Sequence, residues 1–141
     1  MAFLDLPIHI LKEITVIEVF RDIQAQLNET PHLLRLGRLF SETVLIEIGA
    51  DQIYLTFEKG YLVDVTAGPS RKTPWRFAFR TDAEALEKFW QPVPEAKFHD
   101  IFGLVTIGRG KTDGDILCLV KNLRFFKEVM ALGRPAREVA A

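Results

Sequence analysis

Four successive segments of the chain alternate apolar and polar residues. In residues 43–49, Val44, Ile46 and Ile48 share one face. In residues 52–58, Ile53, Leu55 and Phe57 oppose Tyr54, Thr56 and Glu58. In residues 61–66, Tyr61, Val63 and Val65 alternate with Leu62, Asp64 and Thr66, and in residues 75–81, Trp75, Phe77 and Phe79 alternate with Arg76, Ala78 and Arg80. Side chains of a strand point to opposite faces in turn, so four such runs predict half-buried antiparallel strands. Residues 49–51 and 58–60 are short and glycine-containing, as hairpins require. Residues 67–74 carry Gly68, Pro69, Pro74 and two basic residues, and predict a longer exposed loop.

Helical spacing flanks this meander. Residues 7–27 place Ile10, Ile14, Ile17 and Phe20, and also Leu11, Val16, Ile23 and Leu27, at three- and four-residue steps. Thr30 and Pro31 suit the cap and first position of a short second helix bearing Leu33, Leu34, Leu36, Leu39 and Phe40. Thr81-Asp82-Ala83-Glu84 has the form of a capping box and opens a helix with Ala85, Leu86, Phe89 and Trp90. The next helix is expected from near Pro94-Glu95, with Ala96, Phe98, Ile101, Phe102 and Val105. Residues 108–114 suit a short edge strand between turns. Asp115 then caps a last helix in which Ile116, Leu119, Val120, Leu123, Phe126 and Met130 form a stripe, widened by Leu117, Phe125 and Val129. Gly133-Arg134-Pro135 ends it.

The order of these elements from Thr43 to about Leu132 resembles the sterol carrier protein type-two (SCP-2) family. Three stretches carry the resemblance: Val44-Leu45-Ile46-Glu47-Ile48-Gly49 with Ile53-Tyr54-Leu55-Thr56-Phe57 and Gly60; Phe77-Ala78-Phe79-Arg80-Thr81-Asp82; and Gly108-Arg109-Gly110-Lys111-Thr112-Asp113-Gly114-Asp115 ahead of the apolar last helix. The resemblance implies an α+β fold, a single layer of about five mostly antiparallel strands backed by about five helices. It divides the chain into an N-terminal helical segment (1–42), an SCP-2-like lipid-binding core (43–132) and a loose C-terminal tail (133–141). It implies non-catalytic binding of a lipid or other apolar molecule, such as a fatty acyl chain or a sterol-like or quinone-like compound, in a tunnel between sheet and helices. Phe57, Phe77, Phe79, Phe89, Phe98, Phe102, Leu119, Leu123 and Phe126 are the expected tunnel lining. Eleven phenylalanines in 141 residues supply a second expectation. Wide flat rings line pockets for apolar ligands, but they also fill cores. The alternative is therefore an accessory module with a filled core that docks to an enzyme of a lipid or quinone pathway.

Other chemistry finds little support. Eighteen basic against nineteen acidic residues give a net charge of −1, which offers no general attraction for nucleic acid. Cys118 is the single cysteine, so no intrachain disulfide and no multi-cysteine metal site is expected. His9, His32 and His99 lack convergent partners in the sequence, and no cofactor is expected. Gly110-Lys111-Thr112 ends like a phosphate-binding loop, but Val105 stands where that motif has glycine. No nucleophile–base pair is apparent, so the chain is not expected to be an enzyme. Arg71, Lys72, Arg76 and Arg80 form a basic cluster, read as a solvated face or as a site for an acidic partner or anionic head group. No secretory signal, spanning segment or Ser-Lys-Leu ending is seen, since the chain closes on Val139-Ala140-Ala141, and a cytoplasmic protein is expected. The abundance of apolar residues in the first helix predicts a homodimer formed through it.

Overall fold

The computed structural model describes residues 15–70 and 72–135. Helices α1 (Val16–Leu27) and α2 (Pro31–Leu36) precede strands β1 (Thr43–Ile48), β2 (Asp51–Glu58), β3 (Tyr61–Ala67) and β4 (Phe77–Thr81). Helices α3 (Ala83–Phe89) and α4 (Ile101–Thr106), strand β5 (Gly110–Gly114), and helices α5 (Ile116–Lys121) and α6 (Leu123–Ala131) follow. The strands form one sheet in the order β3-β2-β1-β4-β5. This is the expected α+β architecture. One pairing differs from an antiparallel meander: β1 and β4 run parallel at the sheet centre, with Val44 beside Phe77 and Ile46 beside Phe79. The loop and β3 hairpin between them carry the chain back to the start of the sheet.

The alternation decides which face is buried. Val44, Ile46 and Ile48, Ile53, Leu55 and Phe57, and Phe77 and Phe79 all enter the main core, beneath the helices. The opposite face carries its own small cluster of Leu45, Tyr54 and Ala78, against which Trp75 packs. The loop expected to be exposed lies over this face, since the Tyr54 hydroxyl donates to the Ser70 carbonyl at 3.0 Å and Gly68 sits close to the Tyr54 ring. Strand β3 departs from strict alternation. Its pairing with β2 shifts between Thr56 and Phe57, so that Leu62 faces Phe57 and Asp64 faces Thr56, leaving Val63 as the extra residue. A bulge reverses the facing of the residues beyond it. Leu62 and Val65 are consequently the buried pair, while Tyr61 and Val63 are exposed.

Side-chain caps fix the starts of α3, α4 and α5, and the helices depart from expectation at four points. In the Thr81–Glu84 motif the cap is Asp82, not Thr81: its carboxylate accepts from the Ala85 N–H at 2.8 Å, while the Thr81 hydroxyl donates to the Arg109 carbonyl. Helix α4 starts at Ile101, six residues later than the Glu95 expectation. Asp100 accepts from the N–H groups of Phe102 and Gly103, and Lys97 at φ 75° turns the chain just before it. Asp115 caps α5 as expected. The predicted last helix is two helices, broken at Asn122, whose side chain donates to the Cys118 carbonyl. Thr30 and Pro31 occupy the expected positions at α2, but the Thr30 hydroxyl donates backward to Gln26.

Helix α1 buries Phe20, Ile23 and Leu27 and lies along the outer edge of the sheet at β3. The expected helix start near Pro7 lies outside the described residues, as does His9. The described part of α1 turns its apolar residues inward, with Glu18, Arg21, Asp22 and Gln26 exposed. Arg134 donates to the carbonyls of Phe89 and His99, and its guanidinium stacks over the Phe89 ring at 5.0 Å. Residues 136–141 of the expected tail lie outside the described residues.

A free sheet edge exposes unpaired backbone groups, and here two side chains meet them at Leu62, Gln24 donating to its carbonyl at 2.9 Å alongside Asn28. Asn28, just past α1, donates to the Leu62 carbonyl at 3.1 Å and accepts from the Leu62 N–H at 3.0 Å. Replacing Asn28 by Ala should leave that half-buried N–H without its partner and cost about 1–3 kcal/mol. Urea unfolding of the two proteins measures the difference.

Candidate functional site

The two apolar walls expected to enclose a ligand are the inner sheet face and the last helices, and aromatic side chains fix their separation. Phe57 comes from β2 and Phe77 and Phe79 from β4; Phe125 and Phe126 come from α6. Phe40, at the end of the turn after α2, inserts between them. The Phe57 and Phe125 rings meet edge to face at 5.8 Å between centroids, and Phe77 meets Phe126 in the same way at 5.2 Å. Phe40 touches three partners: Phe57 at 5.2 Å, Phe125 at 5.8 Å and Phe77 at 6.1 Å. All these distances lie in the range of favourable aromatic pairs, worth about 0.5–1.5 kcal/mol beyond burial. The five rings are each fully buried. At these points sheet and helix α6 are in direct contact.

The neighbouring wall is built similarly. Phe89 of α3 packs beside Trp90 at 6.4 Å, and Trp90 meets Phe20 of α1 at 5.6 Å. The Trp90 indole N–H donates to the Met130 carbonyl at 2.8 Å, which fastens the end of α6 to α3. Phe79 faces Leu104 and the backbone of Gly110, where an added Cβ would lie 3.1 Å from the ring. Gly37 plays the same part for Phe125, since a Cβ there would fall 2.4 Å from that ring.

Of the nine residues expected to line a tunnel, Phe57, Phe77, Phe79, Phe89, Leu119 and Phe126 come together in the main core. Phe98 sits at its margin, under the Lys88 ammonium at 5.5 Å. Phe102 is half-buried against the core. Leu123 lies apart from the aromatic cluster's centre: half-buried at the start of α6, it floors a shallow open groove of about 560 Å³ with Val120, Lys121, Arg124, Lys127 and Glu128. The sequence reading missed Phe40 as the central member. Its place just before the first alternating run is the one signal that it enters the sheet core.

The polar groups act as struts. Arg80 lies between Glu47 at 2.8 Å and Asp113 at 2.7 Å, stacked on Trp75. Arg76 pairs with Glu42 at 3.0 Å and reaches Asp115 at 3.6 Å. The basic cluster is thus largely met by the protein's own carboxylates; Arg71 lies outside the described residues. Arg109 grips Asp82 with two donors and also reaches Glu84, tying β5 to the start of α3. The Arg80 bond holds the Asp113 carboxyl below its ordinary range, and Arg109 does the same for Asp82. Burial pushes Asp100 up, but bonds from Gly103, Lys127 and Phe102 outweigh it and leave it lowered. Burial raises the Cys118 thiol, which is the opposite of an activated nucleophile. His32 and His99 are exposed, and among the described residues no group of three metal-ligating side chains occurs.

With this geometry in view, the fold has clear counterparts among solved structures. The crystal structure of sterol carrier protein 2 aligns over 86% of this chain and 99% of its own, with a TM-score of 0.68 and 11% identity. The solution structure of the conserved hypothetical protein TT1886 from Thermus thermophilus covers 88% of this chain and 91% of its own, at TM-score 0.64 and 10% identity. The UbiJ-SCP2 ubiquinone synthesis protein covers 79% of this chain and 88% of its own, at TM-score 0.54 and 17% identity. The chain has the SCP-2 fold. No family model matches its sequence, and no curated protein matches it. No helix among the described residues is long and apolar enough to cross a membrane.

Two consequences are measurable. Phe125→Ala removes a ring that touches both Phe40 and Phe57, and should cost about 3–5 kcal/mol in urea unfolding. The three lowered carboxyls contribute stability above the unfolded carboxylate pKa of about 4, and it is lost as pH falls below that value. Asp82→Asn should therefore flatten the acid limb of a thermal-stability profile between about pH 5 and pH 2.

Proposed function

We propose that this chain is a non-catalytic module of lipid or quinone metabolism, with its interior filled by its own aromatic side chains, that works by docking to a partner. The observation that carries this reading is the bridge of Phe40, Phe57, Phe77, Phe125 and Phe126 across the space between sheet and α6. An acyl chain or ring system placed there would have to displace fully buried rings in contact with one another, which is costly. The groups described do not favour catalysis: burial raises the Cys118 thiol, and His32 and His99 are exposed. Similarity of fold to a ubiquinone synthesis protein supports a pathway role without defining it.

A second reading has its own support, the fold shared with sterol carrier protein 2. In it, α6 swings away from the sheet and the aromatic cluster becomes the lining of a tunnel. Native mass spectrometry of the freshly purified protein, followed by titration with a fluorescent fatty acid, separates the two. The filled module appears at its bare polypeptide mass and gives no saturable fluorescence. A co-purified acyl or sterol-like mass, or stoichiometric uptake, would establish the carrier. The same spectra report whether the chain is a dimer, as its first helix led us to expect.

A further inference from the structure

Helix α5 is an anomaly in this fold. Of its six residues only Leu119 is fully buried, and no acidic residue lies on it. Ile116 is 43% exposed, Leu117 64% and Val120 55%, three of the nine exposed large apolar residues among those described. The groove beside it continues the apolar surface through Leu123 and is rimmed by Lys121, Arg124 and Lys127. From Ile116 to Lys127 the sequence holds these three cations and no carboxylate, in a chain whose net charge is −1. Nearby carboxylates neutralise this stretch only in part. Arg124 is 81% exposed and pairs with Glu128 at 3.3 Å, a surface pair of the kind that contributes little. Lys127 pairs with Asp100 at 3.3 Å, and among the described residues Lys121 makes no ion pair. Asp115 and Glu42, which line a small pocket together with Leu117 and Lys121, are engaged with Arg76.

We infer that the face formed by Ile116, Leu117, Val120, Lys121 and Arg124 docks the protein on an anionic lipid surface. The geometry favours this occupant over others. The apolar side chains stand out from a helix only about 9 Å long, too short to supply by itself the roughly 800 Å² per partner of a specific protein interface. They are aliphatic, without the aromatic anchors typical of protein hot spots. A second copy related by a two-fold axis would bring like cations together across the contact. Aliphatic side chains flanked by Lys and Arg, by contrast, match the requirements of an interfacial helix, which buries its apolar face among acyl chains and sets its cations at the head groups. Docking through this face does not depend on whether the interior holds a ligand.

Vesicle co-sedimentation tests it. The protein should sediment with vesicles of equal parts phosphatidylcholine and phosphatidylglycerol, bind pure phosphatidylcholine weakly, and be released by added salt. Leu117→Ser with Val120→Ser should abolish binding, and Lys121→Glu with Arg124→Glu should lower it at least about tenfold. All four positions are exposed, so circular dichroism and melting temperature should stay near those of the unaltered protein. Absence of binding to the anionic vesicles, or binding that survives both double substitutions, overturns the assignment. Light scattering that reveals a dimer abolished by Leu117→Ser with Val120→Ser would also overturn it, and would make this face a self-association surface.

Discussion

Contact between helix α6 and the inner sheet face through five phenylalanine rings is the constraint on which the remaining structure depends. A sheet with Val, Ile, Leu and Phe on one face must cover that face, and a short amphipathic helix is the element available to cover its centre. Phe125 and Phe126 are adjacent in sequence, so they diverge from the helix axis and reach different strands, β2 and β4. Phe40 fills the angle between them. That three-way contact fixes how close α6 lies to the sheet; a side chain at Gly37 would collide with Phe125, and one at Gly110 would crowd Phe79 and Leu104. The Trp90 bond to the Met130 carbonyl and the Arg134 bonds to Phe89 then lock the far end of the helix.

Polar interactions hold the rim of this assembly. Arg80 bridges carboxylates from two strands, Glu47 of β1 and Asp113 of β5, and Arg109 bridges Asp82 and Glu84 at the start of α3. These pairs are exposed enough that their energetic contribution is modest. Their use is geometric: they register β5 against β4 and set the direction in which α3 leaves the sheet. Asn28 serves the opposite edge, where α1 approaches β3. Between these closures α5 keeps three large apolar side chains, Ile116, Leu117 and Val120, exposed.

The sequence made the strands legible because their periodicity is local. Ile53, Leu55, Phe57, Phe77 and Phe79 point inward as alternation requires. It concealed what depends on distant partners. The parallel pairing of β1 with β4 follows from where the chain re-enters the sheet, not from any residue of either strand. The bulge at Val63 exchanges exposed for buried positions while leaving the local pattern intact. The break at Asn122 lies inside a stripe that is continuous at helical spacing, and only the side-chain bond to Cys118 marks it. Of the candidate site, the aromatic residues were recognisable as a group. Whether they line a space or fill it depends on the distance between two elements, to which residue type is indifferent, and Leu123 belongs to the outer groove because of the same break.

A filled interior requires those rings to remain together in solution. Proton NMR on protein carrying isotopically labelled phenylalanine reads their proximity directly through ring-to-ring nuclear Overhauser effects. Cross-peaks between Phe57 and Phe125 and between Phe77 and Phe126, unchanged after incubation with excess oleate, are the predicted result. Their absence, or their loss together with the appearance of contacts to the acyl chain, would contradict it.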